Sequence, residues 1–143
     1  MINKKTGEIK FPGWEVSLSP SLTRERFLKS TLAEDAKVKV KNELYCSWNL
    51  IPTKWEDYKW WNIMVFFKDE RLYQVNLAAS DHEIGARWED WSEELELRKK
   101  DYYTALLGRL LGFSGVEHHG LSWGSVKAVY DEKTGGSYII VKY

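Results

Sequence analysis

Apolar and polar residues alternate between Lys37 and Leu50, and this alternation is the clearest structural signal in the chain. The apolar positions share one parity, which only Asn42 interrupts, while mainly lysine and other polar residues occupy the other parity. A period of two indicates a strand with one buried face and one face near water. The apolar positions predicted to face a core are Val38, Val40, Leu44, Cys46, Trp48 and Leu50.

Further segments have the composition of strands. Residues 60–67 are apolar at almost every position, which predicts a central strand, and a polar turn separates them from a second strand at residues 72–77. Residues 122–130 and 137–143 predict a closing hairpin, because the turn between them contains two adjacent glycines. Residues 52–59 are polar around a proline and are predicted to form a loop.

The N-terminal region predicts two short strands followed by a short helix. The strands are residues 9–11 and residues 14–18, where apolar residues alternate with polar ones. Thr23 has the position of a helix N-cap, and the acidic residues at 34–35 favour an end of the helix near them. The residues predicted to face the core from this helix are Phe27, Leu28 and Leu32.

A second, longer helix is predicted before Gly112. Asp90 or Ser92 can cap its start, and Glu93 follows Asp90 at the spacing of a capping box. Gly112 follows the last apolar residues and is typical of a helix C-terminus, and residues 113–120 are predicted to form a loop. The inner face of the helix is predicted to carry Leu95, Tyr102, Tyr103, Leu106, Leu107 and Leu110.

The order of these elements predicts a single α+β domain that covers residues 1–143. Its antiparallel sheet should contain about five to seven strands, packed with the two helices. A chain of 143 residues has the usual size of one domain. The content of 43% hydrophobic and 29% charged residues excludes a disordered chain.

The charge balance and the first residues limit the kinds of partner. The chain has 21 basic and 21 acidic residues, so we expect neither direct nucleic-acid binding nor attraction to an anionic membrane. The N-terminus has no apolar stretch with the length of a signal peptide or a membrane span, which predicts a cytoplasmic protein. Cys46 is the single cysteine, and its apolar surroundings predict a buried thiol without a disulfide.

The sequence contains no recognisable catalytic or metal-binding motif, so we expect a non-catalytic protein without a metal or cofactor. The Gly-x-Ser-x-Gly pattern around Ser122 is not followed by the helix that a hydrolase nucleophile requires. His118 and His119 are adjacent and His82 stands alone, so the spacing of a zinc site is absent. An enzyme that uses His118 or His119 stays open as a further alternative.

The unusual features are eight tryptophans and a strongly acidic stretch between Asp81 and Glu96. The simpler explanation of the acids is a solvated helix start, because acids favour the positive end of a helix dipole. Trp55, Trp88 and Trp91 lie in polar surroundings, where a tryptophan either packs within the domain or anchors a protein interface. At such an interface, an acidic rim speeds the encounter with a basic partner. The candidate partner-binding residues are Trp88, Glu89, Asp90, Trp91, Glu93 and Glu94.

Three short segments carry a family resemblance. Residues 7–12, residues 123–126 and the pair Tyr130-Asp131 look similar to segments of small uncharacterised bacterial proteins. In size and layout the whole chain resembles the small cytoplasmic immunity proteins that bacteria make beside their toxins. The resemblance implies inhibition by occlusion, in which the protein covers the active or substrate-binding surface of a basic toxin domain. It assigns no functional residue and leaves the oligomeric state open.

An alternative interpretation is a small-molecule or carbohydrate-binding module with a tryptophan-lined pocket. Such pockets are mostly apolar and contain a few placed polar groups. The strands predicted above supply both kinds of side chain. The candidate pocket residues are Trp60, Asn62, Gln74 and Asn76.

Overall fold

A computed structural model describes residues 2–82, 88–112 and 118–143, with the backbone alone for Trp88, His118 and His119. Within these ranges eight strands form one antiparallel sheet. The strands are β1 (Lys37–Lys41), β2 (Tyr45–Asn49), β3 (Thr53–Trp55), β4 (Lys59–Lys68), β5 (Arg71–Ser80), β6 (His118–Leu121), β7 (Gly124–Asp131) and β8 (Gly136–Lys142). The α-helices are α1 (Arg24–Leu28) and α2 (Glu93–Leu111), and short 3-10 helices cover Thr31–Ala33 and Trp88–Asp90.

The predicted α+β class is confirmed, in a single domain. The strands lie in the order β1-β2-β4-β5-β8-β7-β6, and β3 pairs with β4 beside this series. The sheet has more strands than predicted, because β3 and β6 lie in segments predicted as loops. Both predicted hairpins, β4–β5 and β7–β8, are present with antiparallel register.

The sheet has one packed face and one open face. Residues of β4 alternate between fully buried and half-buried, and β8 repeats this alternation. The N-terminal segment, α1 and α2 pack on the same face, where their apolar side chains join one core cluster with the sheet. On the central strands, the side chains that alternate with the buried ones therefore point to the second face of the sheet. We call this second face the open face.

The long alternation at residues 37–50 is a hairpin, not one continuous strand. The Asn42 side chain accepts hydrogen bonds from the backbone N–H groups of Leu44 and Tyr45, at 3.0 and 2.7 Å, and so forms the turn between β1 and β2. The prediction of burial is correct for Cys46, Trp48 and Leu50. It is wrong for Val38 and Val40, because β1 lies at the sheet edge and has an irregular register between these two residues; Val38 is 54% exposed. It is also wrong for Leu44, which lies in the turn before β2.

The N-terminal strands and the first helix are shorter than predicted. Ile9 forms only isolated bridges with Ile2 and Leu18, because turns interrupt the pairing on both sides. Thr23 caps α1 as predicted, with its side chain accepting from the Arg26 N–H at 3.2 Å. The helix ends near Ser30, whose hydroxyl donates to the carbonyl of Phe27, and Leu28 is 51% exposed instead of buried.

Two predicted loops contain strands. Residues 53–55 form β3, which turns into β4 through Asp57 and Tyr58, both with positive φ (54° and 59°). Trp55 holds this hairpin on the core, with its ring 5.2 Å from that of Trp61. Of the predicted loop at residues 113–120, the part up to 117 lies outside the described residues, and the remainder begins β6.

Helix α2 has the predicted ends, and the prediction of its inner face is correct for Tyr103, Leu106 and Leu107 but wrong for Leu95. Ser92 is the N-cap, since its hydroxyl accepts from the Leu95 N–H at 3.1 Å, and Gly112 ends the helix with φ 71°. The capping box of Asp90 and Glu93 is therefore not formed. Leu95 is 45% exposed, because the helix turns Glu96 towards the sheet instead. The buried residues of α2 are Glu96, Tyr103, Leu106, Leu107 and Leu111.

Candidate functional site

The predicted partner-binding residues lie together at the start of α2. The backbone of Trp88 opens the 3-10 helix Trp88–Asp90, and its side chain lies outside the described part. The five others are exposed, including the large indole of Trp91, which is 40% exposed. The residues that form this exposed group are Glu89, Asp90, Trp91, Glu93 and Glu94.

The Trp91 indole is held in place although it lies at the surface. Its Nε1–H donates to the carbonyl oxygen of Gly135 at 2.6 Å, which joins the start of α2 to the β7–β8 turn. Gly135 has φ 68°, and a Cβ at this position would lie 3.4 Å from Nε1 of Trp91. Glycine is therefore favoured at position 135 for two reasons: it adopts the left-handed backbone conformation without strain, and it leaves room for the nearby indole.

A buried carboxylate makes a second link between α2 and the same turn. Glu96 Oε2 accepts from the Ser137 N–H at 2.7 Å, and the Ser137 hydroxyl donates to the Glu96 carbonyl at 2.5 Å. Lys99 neutralises the carboxylate, with Nζ 2.6 Å from Oε1. Because a buried charge is tolerated when it is paired and hydrogen-bonded, Glu96 fixes the first turn of α2 against β8.

A cleft of about 610 Å³ separates the start of α2 from the ends of β4 and β5. We call it the α2 cleft. Trp91 and Leu95 form its apolar wall, and Tyr102 lines it further along the helix. The other lining residues are Lys59, Ala79, Ser80, Asp81, His82, Asp90, Glu96, Arg98 and Lys99.

Ion pairs organise the sheet side of the α2 cleft. Lys59 Nζ lies 2.6 Å from Asp81 Oδ1 and 5.6 Å from the centre of the Tyr102 ring. The hydrogen bond from Lys59 lowers the pKa of the Asp81 carboxyl. Burial of the Tyr102 phenol, with its hydrogen bond to Asp57, raises the pKa of Tyr102. Asp81 therefore stays ionised and Tyr102 neutral at physiological pH.

The acids around Trp91 differ from those inside the α2 cleft. Glu94 forms an ion pair with Arg98 at 2.6 Å on the exposed side of the helix. Glu89, Asp90 and Glu93 form no ion pair and no side-chain hydrogen bond within residues 2–82, 88–112 and 118–143. Among the described residues, therefore, no ion-pair partner neutralises their negative charges.

The β3–β4 hairpin extends this surface beyond the cleft. Asp57 Oδ2 accepts from the Tyr102 hydroxyl at 2.8 Å and from Arg109 Nη2 at 2.9 Å, so the hairpin is attached to α2. Tyr58 follows at the tip and is 91% exposed. A tyrosine on an anchored turn adds a large aromatic contact with little loss of side-chain freedom on binding.

The alternative pocket is divided by the structure. The register pairs Met64 with Asn76 and Asn62 with Ala78, so Asn62, Asn76, Trp60 and Gln74 all project from the open face. A depression of about 180 Å³ on this face contains Asn62 and Asn76 but neither Trp60 nor Gln74. The pocket is therefore not tryptophan-lined. Its complete lining is Asn49, Leu50, Asn62, Ile63, Met64, Asn76, Ala78 and Tyr138.

Sequence reasoning missed several residues of both sites. Leu95 was assigned to the core, and Tyr58 lay in a supposed loop, although an aromatic in a polar turn is a signal for exposure. Asn49 was assigned only to the polar parity of an alternating segment. Tyr138 joins the depression through a strand pairing that local periodicity does not reveal.

The structure bears on two of the chemical motifs considered in the sequence, and only within the described residues. Ser122 lies in the tight turn between β6 and β7, so a strand follows it and no nucleophile elbow is formed. No group of three His, Cys, Asp or Glu side chains close enough to share a metal ion occurs in the described ranges. The side chains of His118 and His119 lie outside the described part, and the hypothesis about them stays open.

No protein-family model matches the chain, and no curated protein or solved structure matches it significantly. A functional assignment therefore depends on the geometry of the two sites above. In the part of the chain that the structure describes, no helix has both the length and the apolar character needed to cross a membrane.

Proposed function

We propose that this chain is a non-catalytic binding protein whose surface around the start of α2 docks a basic partner protein. The observation that supports it is an exposed indole, Trp91, which lines the α2 cleft next to three acids that have no ion-pair partner among the described residues. An acidic cluster alone is ordinary at a helix start. The combination with an exposed, anchored aromatic residue is typical of an interface centre.

The two kinds of side chain have separate tasks in the proposed complex. The charges of Glu89, Asp90 and Glu93 raise the rate of encounter with a basic surface. Trp91 and Leu95 then bury apolar area, which slows dissociation. Because Trp91 is already bonded to Gly135, little conformational entropy is lost when it becomes part of an interface.

The biological role that fits this surface is that of an immunity protein. A toxin domain that cleaves nucleic acid has a basic substrate-binding surface, and an acidic, aromatic patch complements it. Inhibition then requires only that the complex covers that surface. Neutralisation would occur in the cytoplasm of the producing cell, where we expect the protein to act.

The decisive experiment is capture of the tagged protein from its native cell, combined with co-expression of the products of neighbouring genes. We expect a stoichiometric basic protein that is toxic when expressed alone and harmless when this chain is present. Trp91→Ala should weaken the complex about 30-fold or more, as expected for an interface hot spot.

The matched control is Trp123→Ala, which removes a half-buried indole just before the start of β7, whereas Trp91 contacts the turn that follows β7. Trp123 donates to the carbonyl of Lys4 and so lies near the N-terminus. A partner that is retained by Trp91→Ala and by Glu93→Gln would contradict the proposed surface. A clean monomer without any partner would contradict protein binding itself.

A further inference from the structure

The depression on the open face has a chemical character unlike that of the α2 cleft. Its amide side chains lie on three neighbouring strands, since Asn49 of β2 pairs with Met64 of β4, and Met64 pairs with Asn76 of β5. Adjacent strands are about 4.8 Å apart, so Asn49 and Asn76 flank Met64 at a separation of about 10 Å. Asn62 lies two residues from Met64 on the same face of β4.

The carboxamides of Asn49, Asn62 and Asn76 therefore lie close together on the open face and line one small depression. No residue that lines the depression carries a charge. Each carboxamide presents two N–H donors and one oxygen acceptor in a fixed plane. A charged ligand would lose hydration here without meeting an opposite charge, and a fully apolar ligand would leave the amides unpaired.

The carboxamides keep unused hydrogen-bonding capacity. Asn49 Oδ1 is buried and accepts no hydrogen bond within the described residues, a state that costs about 1–3 kcal/mol. Asn62 forms no side-chain hydrogen bond with the part of the chain described. Asn76 Oδ1 accepts from Gln74 Nε2 at 2.8 Å, which orients the Asn76 amide and directs its N–H groups away from Gln74.

Apolar groups complete the depression. Met64 forms part of its surface between the amides, and the Tyr138 ring lines it from β8. Such a combination of amides with one aromatic ring suits a ligand that has hydroxyl groups at its edge and C–H groups on its faces. The volume of about 180 Å³ is below the usual range for drug-sized ligands and suits a single small ring.

We propose that the open-face depression binds a neutral, polyhydroxylated ring of monosaccharide size. The hydroxyl groups exchange hydrogen bonds with Asn49, Asn62 and Asn76, while the ring contacts Met64 and Tyr138. This site is separate from the surface around Trp91, and its occupancy does not depend on the proposed partner.

The test is a titration of the ¹⁵N-labelled protein with glucose, galactose, mannose and N-acetylglucosamine, followed by NMR. We expect saturable shifts of the side-chain amide signals of Asn49, Asn62 and Asn76 with at least one of these sugars. Glucuronate has a ring of similar size that carries a carboxylate. It should bind at least about tenfold more weakly than the neutral sugar that binds best.

Asn62→Leu is the informative variant, because it preserves the shape of the side chain and breaks no side-chain hydrogen bond among the described residues. It should weaken binding about five- to tenfold, the effect of one lost hydrogen bond. Ser125→Ala is the matched control, since Ser125 is a polar residue of the open face outside the depression. Asn76→Leu provides a second variant if Asn62→Leu does not give a folded spectrum.

Three results would overturn the proposal. One is the absence of saturable shifts with all four neutral sugars at millimolar concentration. Another is glucuronate binding as tightly as glucose, which would show that the depression does not select a neutral ligand. The third is unchanged binding by both Asn62→Leu and Asn76→Leu.

Discussion

The α2 cleft and the open-face depression are opposite in charge, size and construction. The cleft is large, is lined by six charged side chains besides His82, and lies between a helix start and two strand ends. The depression is small, contains only neutral side chains and is built on four hydrogen-bonded strands. The same domain therefore offers two surfaces that suit different classes of ligand.

This difference follows from how each surface is supported. Side chains of the depression have their backbone fixed by the strand ladder, so their spacing is set by sheet geometry. The cleft depends instead on a few long-range links from α2, namely those of Trp91, Glu96 and Tyr102. We therefore expect mutations of these links to change the cleft while the depression stays intact.

The largest effect is expected for Glu96→Ala. This change removes the acceptor of the Ser137 N–H and the partner of Lys99, and it leaves both groups without their bond. Loss of one partner from a buried, charged network should lower the free energy of unfolding by about 2–4 kcal/mol. Urea denaturation measures this change, and amide signals of β4 and β5 should retain their positions.

Glu94→Ala is the matched control for the effect of Glu96. Glu94 is also an acid of the first turn of α2, but its ion pair with Arg98 is exposed on both sides. Its removal should change the free energy of unfolding by about 0.5 kcal/mol at most. Equal effects of the two variants would show that the link from Glu96 to β8 does not hold the helix start.

A smaller effect is expected for Gly135→Ala, which tests the anchor of Trp91. An L-residue at φ 68° should lower the free energy of unfolding by about 1–2 kcal/mol. The added Cβ also lies 3.4 Å from Trp91 Nε1 and should move the indole N–H signal in NMR spectra. The affinity of the depression for its ligand should be unchanged.

Gly13→Ala separates backbone strain from contact with the indole. Gly13 has φ 82°, and a Cβ there would meet no atom within 4 Å. It should lose a similar amount of stability without any shift of the Trp91 signal. If Gly13→Ala also shifted the Trp91 signal, the shift in Gly135→Ala could not be attributed to contact between the new Cβ and the indole.

Much of the fold was predictable from the sequence because it depends on local periodicity. The two central hairpins, the caps at Thr23 and Ser92 and the end of α2 at Gly112 all have local signals. The error at Val38 and Val40 has a physical reason: alternation defines the two faces of a strand, but not whether anything covers them. That depends on the position of β1 at the sheet edge.

The sites were less predictable, because they depend on contacts between distant segments. The exposure of the acids around Trp91 follows from their composition, but the bond to Gly135 joins residues 44 positions apart. In the same way, Glu96 could not be recognised as a buried residue without Ser137 of β8 as its partner. Asn49 and Tyr138 meet in the depression only through the order of the strands.

Ionic strength should separate the two surfaces functionally. Raising the salt concentration from about 0.01 M to about 0.15 M shortens the Debye length from about 30 to about 8 Å. We expect association with the basic partner to slow about fivefold, because Glu89, Asp90 and Glu93 act over a distance. Sugar binding in the depression should not change. Stopped-flow kinetics measures the association rate, and the NMR titration measures sugar affinity. If salt changed both quantities equally, the two surfaces would not differ in the way proposed.

The smallest effect concerns Asp57, which attaches the β3–β4 hairpin to α2. Its hydrogen bonds from Arg109 and then Tyr102 hold the pKa of this carboxyl below its ordinary value of 3.8. These hydrogen bonds therefore stabilise the folded state fully when the pH is above the pKa that Asp57 has in the unfolded chain. Their stabilising effect is lost as the pH falls through the lower pKa that Asp57 has in the folded state.

In Arg109→Met the pKa of Asp57 should therefore rise towards 3.8, and the variant should differ least in stability from the wild type in acid. An NMR titration of the Asp57 carboxyl measures the pKa. Tyr102→Phe removes the second donor and should raise that pKa by a smaller amount. Since Asp57 is exposed to solvent, a large change in the unfolding midpoint of Arg109→Met would point to a contact of Arg109 other than the one to Asp57.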